Sequence, residues 1–471
     1  MLGNSLTQIK SPLSVNLEVT AKCNLSCIFC FNATPVYKEY MRTSTDKHND
    51  ASEKLKLLES GVQTSVQEIK KDRIFQIIDR LADAEVFEIR LFGGEFTIYK
   101  PWRDILRYAF KKNLFISFVS NGYLIGEEDA KLLSDCGVQD CTISVHGTPE
   151  VHDKVTRVDG SFSKAMDAIK VLTENGIIVT VAYTPVTENL SHVYVLVNQL
   201  ATDHGVKFFS ISRLFSDDRY ARLGLPDYLN LLDQIERCHK ELGVSISLGD
   251  SFPRCQVPAR YWPYLAYCSQ GVSFAQIDFN GNLKHCSATS KPIGNMLTDP
   301  LEQLWNEQLQ DMRSLMHLPK SCRICPIFCG GGCTVSRGVE HQFAPDEFIP
   351  WPKDESWLMA TMKSLRSWVR RGYFNWVISK RWKQEAAQAE NVKVVESKPH
   401  LQSRYRIREE HDGTFTAMIG GVGIKKVTPL GASVIENMTG KNTVDEIATK
   451  CAELHGECSS SEVLTILHEV S

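Results

Sequence analysis

Three cysteines, Cys23, Cys27 and Cys30, stand in a CxxxCxxC spacing directly behind the first β-prone run of the chain, Val15–Thr20. Three sulfur ligands on so tight a loop need a scaffold that presents the end of a strand. The residues that follow supply one. The runs Phe87–Phe92, Phe115–Ser120, Cys141–Val145, Ile177–Tyr183 and Val206–Ile211 are short and rich in Val, Ile, Phe or Thr. Between them lie helical patterns at Ile69–Leu81, Trp102–Lys112, Glu127–Cys136, Ser163–Asn175 and Ser191–Leu200. Alternating strands and helices predict βαβ units, a parallel sheet, and active residues at the C-terminal strand ends. Six units are too few for a closed eightfold barrel, so the expected fold is α/β, a partial (β/α)6 barrel over residues 1–250. Residues 33–65 read as a polar insertion after the first strand.

The cysteines are also unevenly spread. Of fifteen, seven lie between 255 and 333 and none between 334 and 450. Clustering of this kind points to metal or iron–sulfur ligation rather than to core packing. Residues 251–337 are rich in Cys, Gly and Pro and lack clear periodicity, as expected where metal holds a segment together. The chain of 471 residues has room for two to four domains, and its net charge of −3 disfavours a dedicated nucleic-acid binder. No stretch of about 18 apolar residues predicts a membrane span. The first residues lack the basic and apolar regions of a signal peptide, so a cytoplasmic protein is expected.

Three thiolates on one loop can hold three corners of a [4Fe–4S] cube and leave the fourth iron open. A zinc ion on Cys23, Cys27 and Cys30 would need a fourth ligand that the loop does not offer. The spacing resembles that of the radical SAM family, in which the open iron binds S-adenosylmethionine (SAM) and delivers one electron to its sulfonium. Gly93-Gly94-Glu95 resembles the family motif that meets the SAM amino group. Ser120-Asn121-Gly122 and Ser144-Val145-His146-Gly147 fall at the ends of the third and fourth strands. The stretch His152–Arg157 followed by Gly160-Ser161-Phe162 is similar to the segment after strand four. The resemblance therefore implies SAM contacts at Phe29, Gly93, Gly94, Glu95, Ser120, Asn121, Ser144 and Arg157, with Phe29 packing on the adenine. It leaves the catalytic acid and base undefined. It implies an electron donor of the flavodoxin or ferredoxin kind.

Downstream, Cys268-x12-Gly281-x4-Cys286 and the quartet Cys322, Cys325, Cys329 and Cys333 resemble the SPASM extension, which carries auxiliary [4Fe–4S] clusters. The quartet departs from that pattern. Its central spacing is three residues rather than five, and the distant final cysteine is missing. Counting Cys255, seven candidates serve two clusters. The expectation is Cys255, Cys268, Cys286 and Cys333 around one, and Cys322, Cys325 and Cys329 around the other. His341, Asp346, solvent or substrate would complete the second. A structural zinc on the quartet is the bland alternative.

Residues 338–400 hold five of the eight tryptophans among many Lys and Arg, and read as a bridge between domains. Residues 401–471 read as a separate small winged-helix-like α+β domain. It has β-runs Tyr405–Glu409, Thr414–Ile419 and Ile424–Val427, then helices Pro429–Met438, Val444–His455 and Ser460–Val470. His411-Asp412-Gly413 is the hairpin turn, and Thr443 and Ser459 or Ser460 are N-caps. This tail resembles the PqqD-like recognition element of RiPP (ribosomally made, post-translationally modified peptide) enzymes. Its acidic balance argues against DNA. Together these resemblances imply a radical SAM maturase that binds the leader of a precursor peptide on residues 401–471. A 5′-deoxyadenosyl radical would then form a thioether or C–C crosslink in the core peptide. Epimerisation, backbone excision, formylglycine formation and a noncatalytic Fe–S adaptor are the alternatives.

Overall fold

A computed structural model describes residues 9–30, 68–214, 223–289, 292–314, 318, 322, 325, 329–336, 346–349, 405–419, 423–438 and 442–470. The polar insertion, most of the tryptophan-rich bridge and His341 lie outside the described residues. The described chain forms two units, residues 11–360 and residues 361–471 together with the first ten residues.

In the larger unit, β1 (Ser14–Glu18), β2 (Glu88–Phe92), β3 (Phe115–Ser120), β4 (Asp140–Ser144), β5 (Ile178–Tyr183), β6 (Phe208–Ile211) and β7 (Ser245–Leu248) pair parallel in chain order. The helices between them show why parallel pairing results. In α1 (Lys71–Asp83), Ile74, Ile77, Ile78 and Leu81 recur at the spacing of one helical face and are fully buried. α2 (Trp102–Lys111), α3 (Glu127–Asp135), α4 (Pro149–Thr156), α5 (Ser161–Glu174) and α6 (Val193–Asp203) complete the crossovers up to β6. The partial α/β barrel expected from the sequence is the architecture observed.

A seventh parallel strand follows the six β/α units. α7 (Leu225–Leu242) opens on Gly224, whose backbone N–H donates to the Asp227 carboxylate at 2.8 Å, and closes on Gly243 at φ 66°. It leads into β7, a run of four residues too short to stand out before folding. The cysteine-rich region also joins the sheet. β8 (Phe274–Ile277) pairs parallel with β1, and β9 (Asn282–Lys284) and β10 (Gly294–Asn295) extend it antiparallel. Pairing with β1 therefore helps to hold this segment, and Ala275 and Ile277 are fully buried there.

The smaller unit is a three-stranded antiparallel meander, β11 (Tyr405–Glu409), β12 (Phe415–Ile419) and β13 (Gly423–Val427), followed by α8 (Pro429–Asn437), α9 (Val444–His455) and α10 (Ser460–Val470). Gly413 takes φ 72° in the first hairpin, as Asp-Gly predicts. Thr443 and Glu446 form a reciprocal capping box on α9. Ala417, Ile419, Val434, Ile435, Ile447 and Val463 share one core. Among the described residues, no helix is long and apolar enough to cross a membrane.

Candidate active site and auxiliary cysteine site

The first cysteine loop leaves β1 at its C-terminal end and is pinned from two sides. The N–H of Ser26 donates to the Thr156 carbonyl and that of Ile28 to the Val155 carbonyl, both at 3.0 Å, fixing the loop against the end of α4. On the other side lies Gly93-Gly94-Glu95, just past β2. The Gly94 N–H reaches the Thr20 carbonyl at 2.8 Å, and the Glu95 N–H reaches that of Lys22 at 2.7 Å. A Cβ on Gly94 would stand 2.2 Å from the Lys22 carbonyl oxygen, and one on Gly93 2.3 Å from that of Thr20. Only glycine permits this approach. The three cysteines are half-buried. The Leu25 N–H points to Cys23 Sγ at 3.4 Å, and Asn121 Nδ2 lies 3.8 Å from the same sulfur.

The expected SAM residues fall around this loop, in differing states. Glu95 is buried, and its carboxylate accepts from the Thr97 N–H (3.2 Å) and hydroxyl (2.7 Å), the Ser120 hydroxyl (2.9 Å) and the Asn121 N–H (2.8 Å). Burial raises its pKa against these four donors. Glu95 and Ser120 thus tie the loops after β2 and β3 together. Asn121 carries the tie onward, its side-chain N–H donating to Asn24 Oδ1 at 2.8 Å. Ser144 ends β4 half-buried. Arg157 closes α4 in the left-handed conformation at φ 59°. Ser161 bonds inward to Asp153, whose carboxylate also receives the N–H groups of Gly160 and Phe162.

The residues that sequence reasoning passed over are His146 and His152. Phe29 meets the His146 ring edge-on at 4.7 Å, and the two imidazoles stack at 5.8 Å. The Thr184 N–H donates to His146 Nδ1, and the His146 N–H to His152 Nδ1, so both rings carry their proton on Nε2. Burial lowers His146 well below the usual range and His152 to about 4. Both stay neutral at pH 7. The signal was present in Ser144-Val145-His146-Gly147, where a polar ring follows a strand end.

Cys268, Cys286 and Cys333 line one pocket, with Tyr267, Gln270 and Met312. Burial pushes the Cys268 thiol up to about 12 and raises those of Cys286 and Cys333. Such thiols ionise only if a cationic group joins them. Gln270 Oε1 is buried in the same cavity without a hydrogen-bond partner. Among the described residues, no three His, Cys, Asp or Glu side chains converge tightly enough for a single metal ion. Three thiols that line one pocket without converging on a single point suit an iron–sulfur cluster better than one zinc ion.

Two details bear on the expected ligand sets. Cys255 was expected beside Cys268, Cys286 and Cys333; burial raises its thiol, and the thiols that act on it electrostatically are Cys329 and Cys325. The Ser251 hydroxyl, four residues upstream, also holds the Cys329 carbonyl at 3.1 Å. Asp346 is not a free ligand either. Its buried carboxylate is ion-paired with Arg213 and accepts the Cys333 N–H at 2.7 Å. Cys322 and Cys325 are half-buried, with the Cys325 N–H on the Cys322 carbonyl.

Comparison with known proteins matches these two sites in turn. Residues 17–200 match the radical SAM superfamily, and residues 268–326 the SPASM iron–sulfur cluster-binding domain. The two matched regions mark an enzyme with a radical SAM domain and a SPASM domain, whose cofactors are SAM, a [4Fe–4S] cluster and auxiliary iron–sulfur clusters. It is 24% identical to the sporulation killing factor maturation protein SkfB of Bacillus subtilis over 62% of this chain. That match spans 64% of SkfB, just under two thirds of its length. It is 26% identical to the subtilosin biosynthesis protein AlbA of the same organism, over 73% of this chain and 72% of AlbA. The crystal structure of Streptococcus suis SuiB bound to precursor peptide SuiA shares the fold at TM-score 0.51 and 15% identity, covering 73% of this chain and 77% of SuiB.

Proposed function

We propose that this enzyme modifies a ribosomally made precursor peptide, joining two of its residues by a thioether or C–C bond. The observation that carries the reading is the pairing of a three-cysteine loop with a second pocket lined by three cysteines in one barrel unit. Relatives named for maturation of a killing factor and for subtilosin biosynthesis support a peptide as the substrate.

Cys23, Cys27 and Cys30 would hold the first cluster, and Gly93, Gly94, Asn121, Ser144, Arg157 and Phe29 would surround SAM. When bound, this pair supplies a one-electron reduction and a carbon radical able to take hydrogen from an unactivated C–H bond. The protein's part is positional. Gly93 and Gly94 let the β2 loop close on the cysteine loop, Asn121 fixes Cys23, and His146 backs Phe29 with a neutral ring. Cys268, Cys286 and Cys333 would hold one auxiliary cluster, and Cys322, Cys325 and Cys329 a second, with Cys255 completing the second set. Forming a C–S bond from C–H and S–H releases two hydrogens, one as an abstracted atom and one as a proton, and leaves one electron for an auxiliary cluster to accept.

The leader would add to the edge of β13, beside Lys425 and Lys426. Ile424 on β13 and Leu464 on α10 are exposed apolar side chains available to it, and the exposed lysines favour an acidic leader. Deleting residues 401–471 should leave iron content and uncoupled SAM cleavage intact while modification of the full-length precursor falls by at least about tenfold. Mass spectrometry of the co-expressed precursor reads this as loss of the dehydrogenated product. Unchanged modification by the truncated enzyme would remove leader capture from the reading.

A further inference from the structure

Among the described residues of the barrel unit, the guanidinium of Arg213 is the most deeply buried Lys or Arg cation, with a role the SAM site does not explain. It lies two residues past β6, and its side chain is 1% exposed. Tyr228, Phe252 and Phe348 surround it, their ring centroids 4.9–5.6 Å away. A charge isolated in this way is costly unless it is paired. The partner is Asp346, 0% exposed, which meets both terminal guanidinium nitrogens. Glu347 adds an acceptor at 3.1 Å and the Ser251 carbonyl one at 3.0 Å.

Asp346 uses the same carboxylate to organise the cysteine segment. Its Oδ2 accepts the Cys333 N–H at 2.7 Å, and its Oδ1 that of Phe348 at 3.1 Å. Its own N–H donates to the Gly331 carbonyl at 3.3 Å. Gly332 has φ 80°, and a Cβ there would stand 2.5 Å from Asp346 Oδ2. The chain between Gly331 and Cys333 is therefore moulded onto this carboxylate. The Arg213 N–H meanwhile holds Asp250, just past β7, at 2.7 Å. One buried residue thus joins the ends of two barrel strands to the backbone of a cysteine in the auxiliary cavity.

We propose that Arg213 and Asp346 are a positioning pair that fixes Cys333 against the barrel and sets the reduction potential of the auxiliary cluster it ligates. This rests on the assignment of Cys333 as a ligand. A buried guanidinium favours the more negative, reduced cluster, and a buried carboxylate opposes it. The two partners thus act with opposite sign on the potential and with the same sign on position.

The test uses full-length protein reconstituted anaerobically with iron and sulfide. Cys333→Ala comes first: unchanged iron and an unchanged auxiliary-cluster EPR spectrum would refute the ligand assignment and leave the pair unconnected to any cluster. With the ligand confirmed, EPR-monitored titration should place the auxiliary midpoint of Arg213→Gln below wild type and that of Asp346→Asn above it. The double variant Arg213→Gln/Asp346→Asn should return towards wild type, since a missing pair perturbs less than a broken one. Midpoints shifted in the same direction by both single variants, or unshifted, would overturn the proposal. If both single variants lose the cluster, the double variant must recover iron. A double variant poorer in iron than either single would mean the residues are only scaffold.

Discussion

The two cysteine sites of the barrel unit are built in opposite ways. Cys23, Cys27 and Cys30 come from eight consecutive residues on one loop and remain half-buried. Cys268, Cys286 and Cys333 come from three segments and line one pocket, the first two half-buried and Cys333 buried. The first site is set by spacing and needs the fold only to present a strand end. The second exists only after β8 has paired with β1 and Asp346 has drawn Cys333 inward. Local ligand sets survive small shifts of the scaffold, whereas a distributed set fails with any one of its supports.

The sharpest break of this comparison removes the local set. Cys23→Ala, Cys27→Ala and Cys30→Ala together should abolish 5′-deoxyadenosine formation and lower iron by about four per chain, leaving auxiliary iron in place. Residual SAM cleavage in chromatographic assays would show that the radical site lies elsewhere. Next, Cys268→Ala with Cys286→Ala should remove about four irons of a total of about twelve and stop peptide modification while some uncoupled SAM cleavage continues. Zinc rather than iron in metal analysis of the wild type would count against the second site as drawn.

The difference in legibility follows from the same contrast. CxxxCxxC behind Val15–Thr20 pointed to a cluster-binding loop because its three cysteines are neighbours in sequence. The electrostatic reach of Cys325 and Cys329 to Cys255 was not legible, since no spacing rule links residue 255 to residue 329. Asp346 looked like a spare oxygen ligand. Only burial opposite Arg213, 133 positions away, shows it committed elsewhere. His146 and His152 stood in view as polar residues after a strand, but their neutrality comes from burial that no local pattern encodes.

Those histidines give a smaller effect. The folded-state pKa of His152 is depressed to about 4 from an ordinary value near 6.5. The unfolded chain therefore takes up the proton first as pH falls, so stability is full above about pH 6.5 and drains between there and about pH 4. His152→Asn keeps an acceptor for the His146 N–H and should flatten this loss, by on the order of 2–3 kcal/mol at the acid end. Thermal melts at pH 7 and pH 5 compare the two proteins, and parallel losses would assign the acid sensitivity to other groups. The smallest effect belongs to the C-terminal unit. Thr443→Ala breaks the capping box of α9 and should cost about 1 kcal/mol in chemical denaturation of the full chain, with iron content unchanged. Altered iron would show that the two units are not energetically separate.

By itself the sequence determined what short-range physics controls. The alternation of apolar runs with helical faces dictated a parallel sheet, the CxxxCxxC spacing an iron–sulfur loop, and Asp412-Gly413 and Thr443 the turn and cap of the small unit. The tertiary structure decided what depends on distant groups meeting. It added β7 and β8 to the sheet, gathered Cys268, Cys286 and Cys333 around one cavity, and set Arg213 against Asp346 behind Cys333. Local geometry is encoded in adjacent residues. The burial that shifts a thiol, silences a histidine or commits a carboxylate arises only when segments far apart in the chain exclude water together.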